Sequence, residues 1–427
     1  MLLFLKLEEI SHDRTGDEVL LGDIVDTNSA FLCKVLKDMG IDVQKIMAVG
    51  DDVTDIAGVI GDTSLQADIC LVTGGLGPTQ DDVTALACSK ASGHRIELNQ
   101  DALVSMTSYF KKRGFVLTRD NEKQAMLPAG SHMIINHNGT APGLYIKINQ
   151  CGFFFMPGVP SEMKIMFEKE IKQVLMNEFN LNNDILIERL TVFGLPESRV
   201  GALLKGFKTK FPQMRLGFRA DFPVIEVKII LTDSTKDDKK ARSDIKMAKQ
   251  WAIGQLENKV VSRQGLSIAQ EIGRLLTKEK KTLAIAESCT GGLISNMVTD
   301  VAGSSNYFLF SGVTYSNDAK INILNVRKET IIEYGAVHEQ TALEMAQGAR
   351  LRAGADFAIS TTGIAGPGGG TEEKPVGMVC IGFSGPSVSM ARTYKFSFGD
   401  RVRNKKMFAM MALELLRRQL ILMVKTS

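Results

Sequence analysis

A serine stands where a short apolar run, Leu283-Ala284-Ile285-Ala286, meets Glu287-Ser288-Cys289-Thr290-Gly291-Gly292 and then a helical pattern from Leu293-Ile294 onward. A hydroxyl at a strand-to-helix corner lies beside unpaired backbone N–H groups and a positive helix end, which suits a nucleophile and an oxyanion. Capping of the helix by Ser288 or Thr290 is the commoner use of these residue types, and position alone leaves it open. A serine nucleophile needs a base. His338, the histidine of this region, has no second diagnostic feature beside it. Lys320, in Gly312-Val313-Thr314-Tyr315-Ser316-Asn317-Asp318-Ala319-Lys320, would serve if burial or nearby positive charge lowered its pKa. A β-run there passes into a helix and puts Lys320 in its first turns, although a lone lysine is more often a solvated surface charge. A third stretch, Ile359-Ser360-Thr361-Thr362-Gly363-Ile364-Ala365-Gly366-Pro367-Gly368-Gly369-Gly370, reads as a strand entering a glycine-dense loop. Such a loop suits close backbone approach to phosphate or an oxyanion; a plain surface loop is the alternative.

A second candidate site lies near the N-terminus. The run Ile69-Cys70-Leu71-Val72-Thr73 enters Gly74-Gly75-Leu76-Gly77-Pro78-Thr79-Gln80-Asp81-Asp82-Val83-Thr84. Glycine N–H groups at a helix start favour a phosphate, and Asp81 or Asp82 would hold Mg²⁺ between protein and pyrophosphate. A capping box, Thr79 with Asp82 three residues on, needs no ligand, but it does not require three glycines and a second aspartate. The phosphate reading is therefore favoured.

The elements that must position these residues are α/β throughout. Residues 1–172 alternate helical patterns with short β-rich runs, as in a doubly wound domain. Ser29 to Met39 reads as a helix, Ile46-Met47-Ala48-Val49 as a buried strand, and Phe153 to Met156 as a strand ending in Pro157-Gly158-Val159-Pro160. Residues 173–257 read as a small α+β linking module: strand Ile185 to Phe193, helix Glu197 to Leu204, strand Val224 to Leu231, a charged turn over 232–240, and a polar helix to Leu256. Residues 258–427 are α/β again, with a strand Thr282 to Ala286 and a final helix that turns Met407, Met410, Met411 and Leu415 toward a core.

At 427 residues and 44% hydrophobic, the chain is expected to bury two or three cores. Lys+Arg 51 against Asp+Glu 48 leaves no electrostatic footprint for direct nucleic-acid binding. Six scattered cysteines without C-x-x-C spacing fit free thiols in a reducing cytosol. The apolar opening Met1-Leu2-Leu3-Phe4-Leu5 meets Lys6 at once, too short for a signal-peptide core, and no apolar stretch reaches the roughly 20 residues that span a bilayer. A cytoplasmic protein away from membranes is expected.

The blocks Ala286-Glu287-Ser288-Cys289-Thr290-Gly291-Gly292, Gly303-Ser304-Ser305, Tyr315-Ser316-Asn317-x-x-Lys320, Gly335-Ala336-Val337, and Thr362-Gly363-Ile364-Ala365-Gly366-Pro367 with Lys374-Pro375-Val376-Gly377 resemble, in order, the C-terminal domain of the CinA (competence/damage-inducible) family. The resemblance implies a Ser/Lys hydrolase that converts nicotinamide mononucleotide to nicotinate mononucleotide and ammonia without a cofactor, with Ser288 as nucleophile and Lys320 as base. It further implies substrate-binding roles for Glu287, Thr290, Gly291, Ser304, Ser305, Tyr315, Thr362, Gly363 and, for the phosphate, Arg401. His338 stands where the family pattern has serine.

The N-terminal half is similar to the same family through Gly16-Asp17-Glu18, Asp26-Thr27-Asn28, Val49-Gly50-Asp51, the Gly74–Thr84 segment, Asn121-x-Lys123-Gln124-Ala125, Gly139-Thr140-Ala141-Pro142-Gly143 and Pro157-Gly158-Val159-Pro160-x-Glu162-Met163. That half is molybdopterin-binding-like. In the family it is linked to hydrolysis of ADP-ribose with a divalent metal, expected to be Mg²⁺, and potassium. The implied phosphate-binding residues are Gly74, Gly75, Gly77, Thr79, Thr84, Asn28 and Lys123, with Asp81 and Asp82 on the metal. Polar Ser11-His12-Asp13-Arg14 precedes Gly16, where the family's first strand should be apolar. The expectation is a strand over Leu2 to Leu7 with an irregular entry, or a different start. A homodimer is implied by the family alone. Molybdopterin binding, or a non-catalytic role in DNA uptake or recombination, are the competing readings.

Overall fold

The computed structural model describes residues 2–5, 10–15, 20–22, 24–41, 43–178, 186–231, 239–396 and 398–426. Two compact units divide the chain, one within Met1–Ile185 and the other made of Leu186–Leu231 and Lys239–Ser427.

In the first unit, seven strands form one sheet: β1 (Leu2–Leu5), β2 (Ile10–Thr15), β3 (Lys45–Val49), β4 (Ile69–Thr73), β7 (His132–Ile134), β8 (Gly143–Ile148) and β9 (Cys151–Met156). Their order is β1-β3-β2-β4-β9-β8-β7, and β5 (Ile96–Leu98) with β6 (Met126–Pro128) makes a separate ribbon. At the centre β4 and β9 run parallel with every residue buried. Alternation sends Cys70, Val72, Phe153 and Phe155 into one core with Ile56 and Ile60, while Leu71, Phe154 and Met156 enter another with Leu32, Leu36 and Phe167. A sheet covered on both faces leaves its strands no polar side, which is why these two read as unbroken apolar runs. β3 departs from the expectation of a buried strand. Lys45, Ile46 and Ala48 are exposed and Val49 alone is buried, since the strand lies toward the β1 end of the sheet, away from the β4–β9 centre. The polar stretch Ser11-His12-Asp13-Arg14 is itself strand: it lies within β2, parallel to β3 and β4. Ladder pairing of the backbone, which is indifferent to side-chain polarity, overrides the expected irregular entry. The Gly16-Asp17-Glu18 turn lies outside the described residues.

The stretch read as a linking module forms an antiparallel sheet, β11-β12-β10-β13, from β10 (Leu186–Phe193), β11 (Met214–Asp221), β12 (Val224–Leu231) and β13 (Val260–Ser262). The helix Lys239–Leu256 covers it and shares its core through Ile245, Ala248 and Ala252. β13 lies past residue 257, and the sheet belongs to the same compact unit as everything C-terminal to it. The charged turn falls mainly on residues outside those described.

The remaining sheet has the order β15-β14-β16-β17-β18: β14 (Leu283–Glu287), β15 (Phe308–Val313), β16 (Phe357–Gly363), β17 (Met378–Ser384) and β18 (Ser389–Lys395). β14 is parallel to both β15 and β16, and β17 and β18 add an antiparallel hairpin. One face packs Ile285 and Ile359 on Ile272, Leu276, Phe408 and Leu416 from the helices Ile268–Lys278 and Arg401–Thr426. Met410 and Leu415 enter that core and Met407 and Met411 pack against it, as the helical spacing predicts. The other face packs Ala284, Ala286 and Ala358 on Met345 and Ala349 of the helix Glu339–Ala353. Among the described residues no helix is long and apolar enough to cross a membrane. All six cysteines are free thiols.

Candidate active site

Parallel strands deliver their carboxyl ends to one edge of a sheet, and the crevice there is where α/β proteins hold ligands. Ser288 leaves β14 at that edge, its N–H donating to the Thr361 carbonyl at 2.9 Å and so extending the β14–β16 ladder by one residue. Beyond it the chain must fold back sharply, which Gly291 and Gly292 permit at φ +60° and +92°. The adjacent strand end supplies Thr314 and Tyr315, after which Ser316 caps the helix Asn317–Leu324 by accepting from the Ala319 N–H at 3.1 Å. Lys320 is the fourth residue of that helix. Helical side chains lean toward the N-terminus, and this one leans back over the crevice.

Lys320 is 0% exposed, and its Nζ lies 3.1 Å from Ser288 Oγ. It donates to the carbonyls of Thr314 at 2.9 Å and Tyr315 at 3.1 Å. Burial pushes its pKa below the ordinary 10.5, with a smaller opposing influence from Cys289. A neutral amine so placed would give its two hydrogens to the two carbonyls and leave its lone pair to accept the Ser288 proton. The solvated-charge reading of Lys320 fails on burial, and the cap reading of Ser288 and Thr290 fails on hydrogen bonding. The helix Leu293–Thr299 has Gly292 at its cap position, while the Ser288 hydroxyl lies beside Lys320 and the Thr290 hydroxyl pairs with Thr361.

Several expected binding residues do other work. The carboxylate of Glu287, 0% exposed, accepts from the N–H groups of Gly292 at 3.0 Å, Ile294 at 3.2 Å and Ser295 at 2.9 Å, and from Ser295 Oγ at 2.5 Å. It occupies the helix N-terminus from inside, so both carboxylate oxygens of Glu287 are engaged by the start of that helix. Ser304 and Ser305 precede β15, whose first residue pairs with the first residue of β14. They lie at the opposite end of the sheet from Ser288, because residue order in parallel strands fixes the end at which each connection emerges. Thr362 Oγ1 donates to the Ala336 carbonyl at 2.7 Å, and a Cβ on Gly363 would meet the Met378 carbonyl oxygen at 2.5 Å; both hold the framework. Thr290 Oγ1 pairs with Thr361 Oγ1 at 2.7 Å beneath the Ser288 loop. Gly291 lines the loop itself.

Tyr315 and Arg401 meet at the mouth: Arg401 Nη2 donates to the Tyr315 hydroxyl at 3.3 Å and Nη1 to the Gly366 carbonyl at 2.6 Å. One turn further along the same helix, Lys405 Nζ lies 3.5 Å from where a Cβ on Gly291 would stand. The i, i+4 spacing from Arg401 was the available signal for Lys405, which was not among the expected binding residues. Asn404, between them, is buried and donates to the Ala365 and Phe398 carbonyls, both at 3.0 Å, tying the glycine-dense loop to the helix start. His338 caps the helix Glu339–Ala353 through Nδ1, which accepts from the Gln340 N–H at 3.1 Å, so it does the job a serine would do there.

The N-terminal glycine turn lies at the carboxyl ends of β4 and β9. Gly74 and Gly75 have φ +104° and +68°, and Gly74 N–H donates to the Met156 carbonyl at 3.0 Å. Thr84 Oγ1 donates to the Gly74 carbonyl at 3.1 Å, so Thr84 locks the turn and its hydroxyl is engaged. The helix starts only at Thr84, not within Thr79–Asp82. Asp82 Oδ2 accepts from the N–H and hydroxyl of Thr79 at 2.8 and 2.6 Å, and a Cβ on Gly77 would lie 2.5 Å from that oxygen. Lys123 donates to the Thr79 carbonyl. Asn28, 1% exposed, donates to the Gly158 carbonyl at 2.7 Å, while its Oδ1 has no donor among the described residues. Asp81 is exposed and Asp82 half-buried, and among the described residues the bonds from Thr79 go to Asp82 Oδ2, not Oδ1. Among the described residues no group of three His, Cys, Asp or Glu gathers to hold a metal. These two carboxylates would serve only with phosphate oxygens completing the shell, a mode Mg²⁺ commonly takes.

A doubly wound N-terminal unit joined to a smaller α/β sheet that carries a buried serine–lysine pair defines the class. Residues 265–420 match the CinA C-terminal domain, and residues 14–177 match a probable molybdopterin binding domain. The CinA-like protein of Desulforapulum autotrophicum is 49% identical over 413 residues, 96% of this chain and 97% of that one. The CinA-like protein of Desulfosudis oleivorans is 47% identical over 408 residues, covering 95% and 98%. A crystal structure of the competence/damage inducible protein CihA from Agrobacterium tumefaciens is 42% identical, covers 35% of this chain and 91% of that one, and superposes with a TM-score of 0.34. The chain belongs to the CinA family.

Proposed function

We propose that the C-terminal site hydrolyses the carboxamide of nicotinamide mononucleotide. The observation that carries this reading is the Lys320 amine, buried and held by two carbonyls, 3.1 Å from the Ser288 hydroxyl. Ser288 Oγ attacks the amide carbon as Lys320 takes its proton. The C–N bond breaks, and that proton leaves with the departing ammonia. Water, deprotonated by the same amine, then cleaves the ester to release nicotinate mononucleotide and restore the serine. Arg401 and Lys405 would receive the 5′-phosphate at the mouth, a role that suits two cations one helical turn apart. Ammonia release from nicotinamide mononucleotide tests the reading: it is expected in the parent protein and lost in Ser288→Ala, and full activity in that variant would sink it.

A second activity is proposed for the N-terminal unit, metal-assisted hydrolysis of ADP-ribose. It is favoured by the convergence of the Gly74–Gly75 turn with the unsatisfied Asn28 carboxamide oxygen at the strand ends. Asp81 and Asp82 Oδ1 would hold the ion, which supplies charge neutralisation at the pyrophosphate. Asn28 and Lys123 would orient the phosphates.

A further inference from the structure

Within the second compact unit, a cavity of about 970 Å³ opens between the β11–β12 turn and the surface formed by β18 and the C-terminal helix. Neither Ser288 nor Lys320 lines it. Its volume is at the upper end of the roughly 300–1,000 Å³ typical of small-molecule sites. Phe222 closes it from the turn, Phe396 and Phe398 from the segment after β18, and Met411 from the helix. Phe396 is braced from behind by Phe408 of the core at a ring separation of 6.1 Å, so that wall is fixed.

The charges around these apolar faces are one-sided. Lys259, Arg392, Arg403 and Arg418 line the cavity, against a single carboxylate, Glu414. That carboxylate is already spent, accepting from Arg417 Nε and Nη2 at 2.6 and 3.0 Å and from Arg418 Nε at 2.7 Å. Lys259, Arg392 and Arg403 have no carboxylate within ion-pair distance among the described residues. The Arg403 guanidinium lies over the Phe222 ring at 4.5 Å and the Phe398 ring at 5.2 Å. A guanidinium fixed by its face leaves its N–H edge free for an anion. We propose that this cavity is a second ligand site, for a planar aromatic ring carrying an anionic group. The ring would lie along the phenylalanine wall, and the anion would be taken by Arg403 with Lys259 or Arg392.

The aromatic sulfonate 8-anilinonaphthalene-1-sulfonate is a suitable probe, titrated into the full chain and followed by fluorescence. One saturable site is expected. Its affinity is expected to fall at least about tenfold in Arg403→Ala, the loss typical of a charge-assisted contact. It is expected to vanish in Met411→Trp, which fills the cavity, and to be at least about tenfold weaker for the uncharged analogue N-phenyl-1-naphthylamine. Should Met411→Trp fail to fold by circular dichroism, Phe222→Ala on the turn takes its place, with the same tenfold criterion. Unchanged binding in the cavity variant, or equal binding of the uncharged analogue, would overturn the proposal.

Discussion

At the scale of single residues, the proposed chemistry requires Lys320 without its proton. Burial disfavours the ammonium, so the rate of amide hydrolysis is expected to rise with pH through a lysine pKa lower than the ordinary 10.5 and then level off. A limb at or above the ordinary value in a pH–kcat/KM profile would contradict this. The same shift bears on stability with a definite sign. Below its lowered folded-state pKa, Lys320 carries the full penalty of a buried charge, and the penalty is relieved as pH rises from there through the unfolded value. Lys320→Met is therefore expected to lose roughly 10²–10⁴-fold in kcat, the contribution of a general base. Its melting temperature at neutral pH should match or exceed that of the parent by scanning calorimetry, because the buried amine is gone. Ser288 was legible as a candidate from its strand–glycine context. The burial of Lys320 was not, because nothing in Asp318-Ala319-Lys320 says which neighbours will close over the helix start.

At the scale of elements, the Ser288 corner depends on the helix behind it. Glu287→Ala would leave three backbone N–H groups at the start of Leu293–Thr299 without their acceptor inside the protein. A loss of about 2–4 kcal/mol is expected in urea unfolding, from unsatisfied buried donors and a missing cap. Activity should fall with it as the loop loosens. Packing of the helix Glu339–Ala353 sets a second condition: a Cβ at Gly348 would lie 1.8 Å from the Leu324 carbonyl oxygen, at the end of the helix that carries Lys320. Backbone cannot yield as a flexible side chain can. Gly348→Ala is expected to cost about 1–3 kcal/mol in the same assay, as overpacking typically does. The element types themselves were readable, since β4, β9, β12 and the helices around them follow apolar runs and periodicities. The exposure of β3 was not, because four apolar residues in a row do not say where in a sheet the strand will lie.

At the scale of the whole molecule, the two units have separate cores, and each proposed site is assembled within one unit. Lys123→Ala is expected to lower ADP-ribose hydrolysis while sparing ammonia release from nicotinamide mononucleotide, and Ser288→Ala the reverse. A chelator should abolish the first reaction and leave the second, since the Ser288–Lys320 chemistry uses only side chains and water. Parallel loss of both activities in either variant, or chelator sensitivity of the deamidation, would refute this division.

The sequence by itself determined the alternation of elements, the family, and the two residue types that meet in the C-terminal crevice. Each of these follows from local pattern: apolar period, glycine placement and the order of short motifs. Only the tertiary structure decided what those side chains touch. It turned Glu287 inward to cap a helix, sent Ser304 and Ser305 to the far end of the sheet, spent one oxygen of Asp82 on Thr79, and brought Lys405 beside Gly291. The reason is physical: hydrogen bonding and burial between residues distant in sequence are settled by strand order and helix packing, which no short window of residues contains.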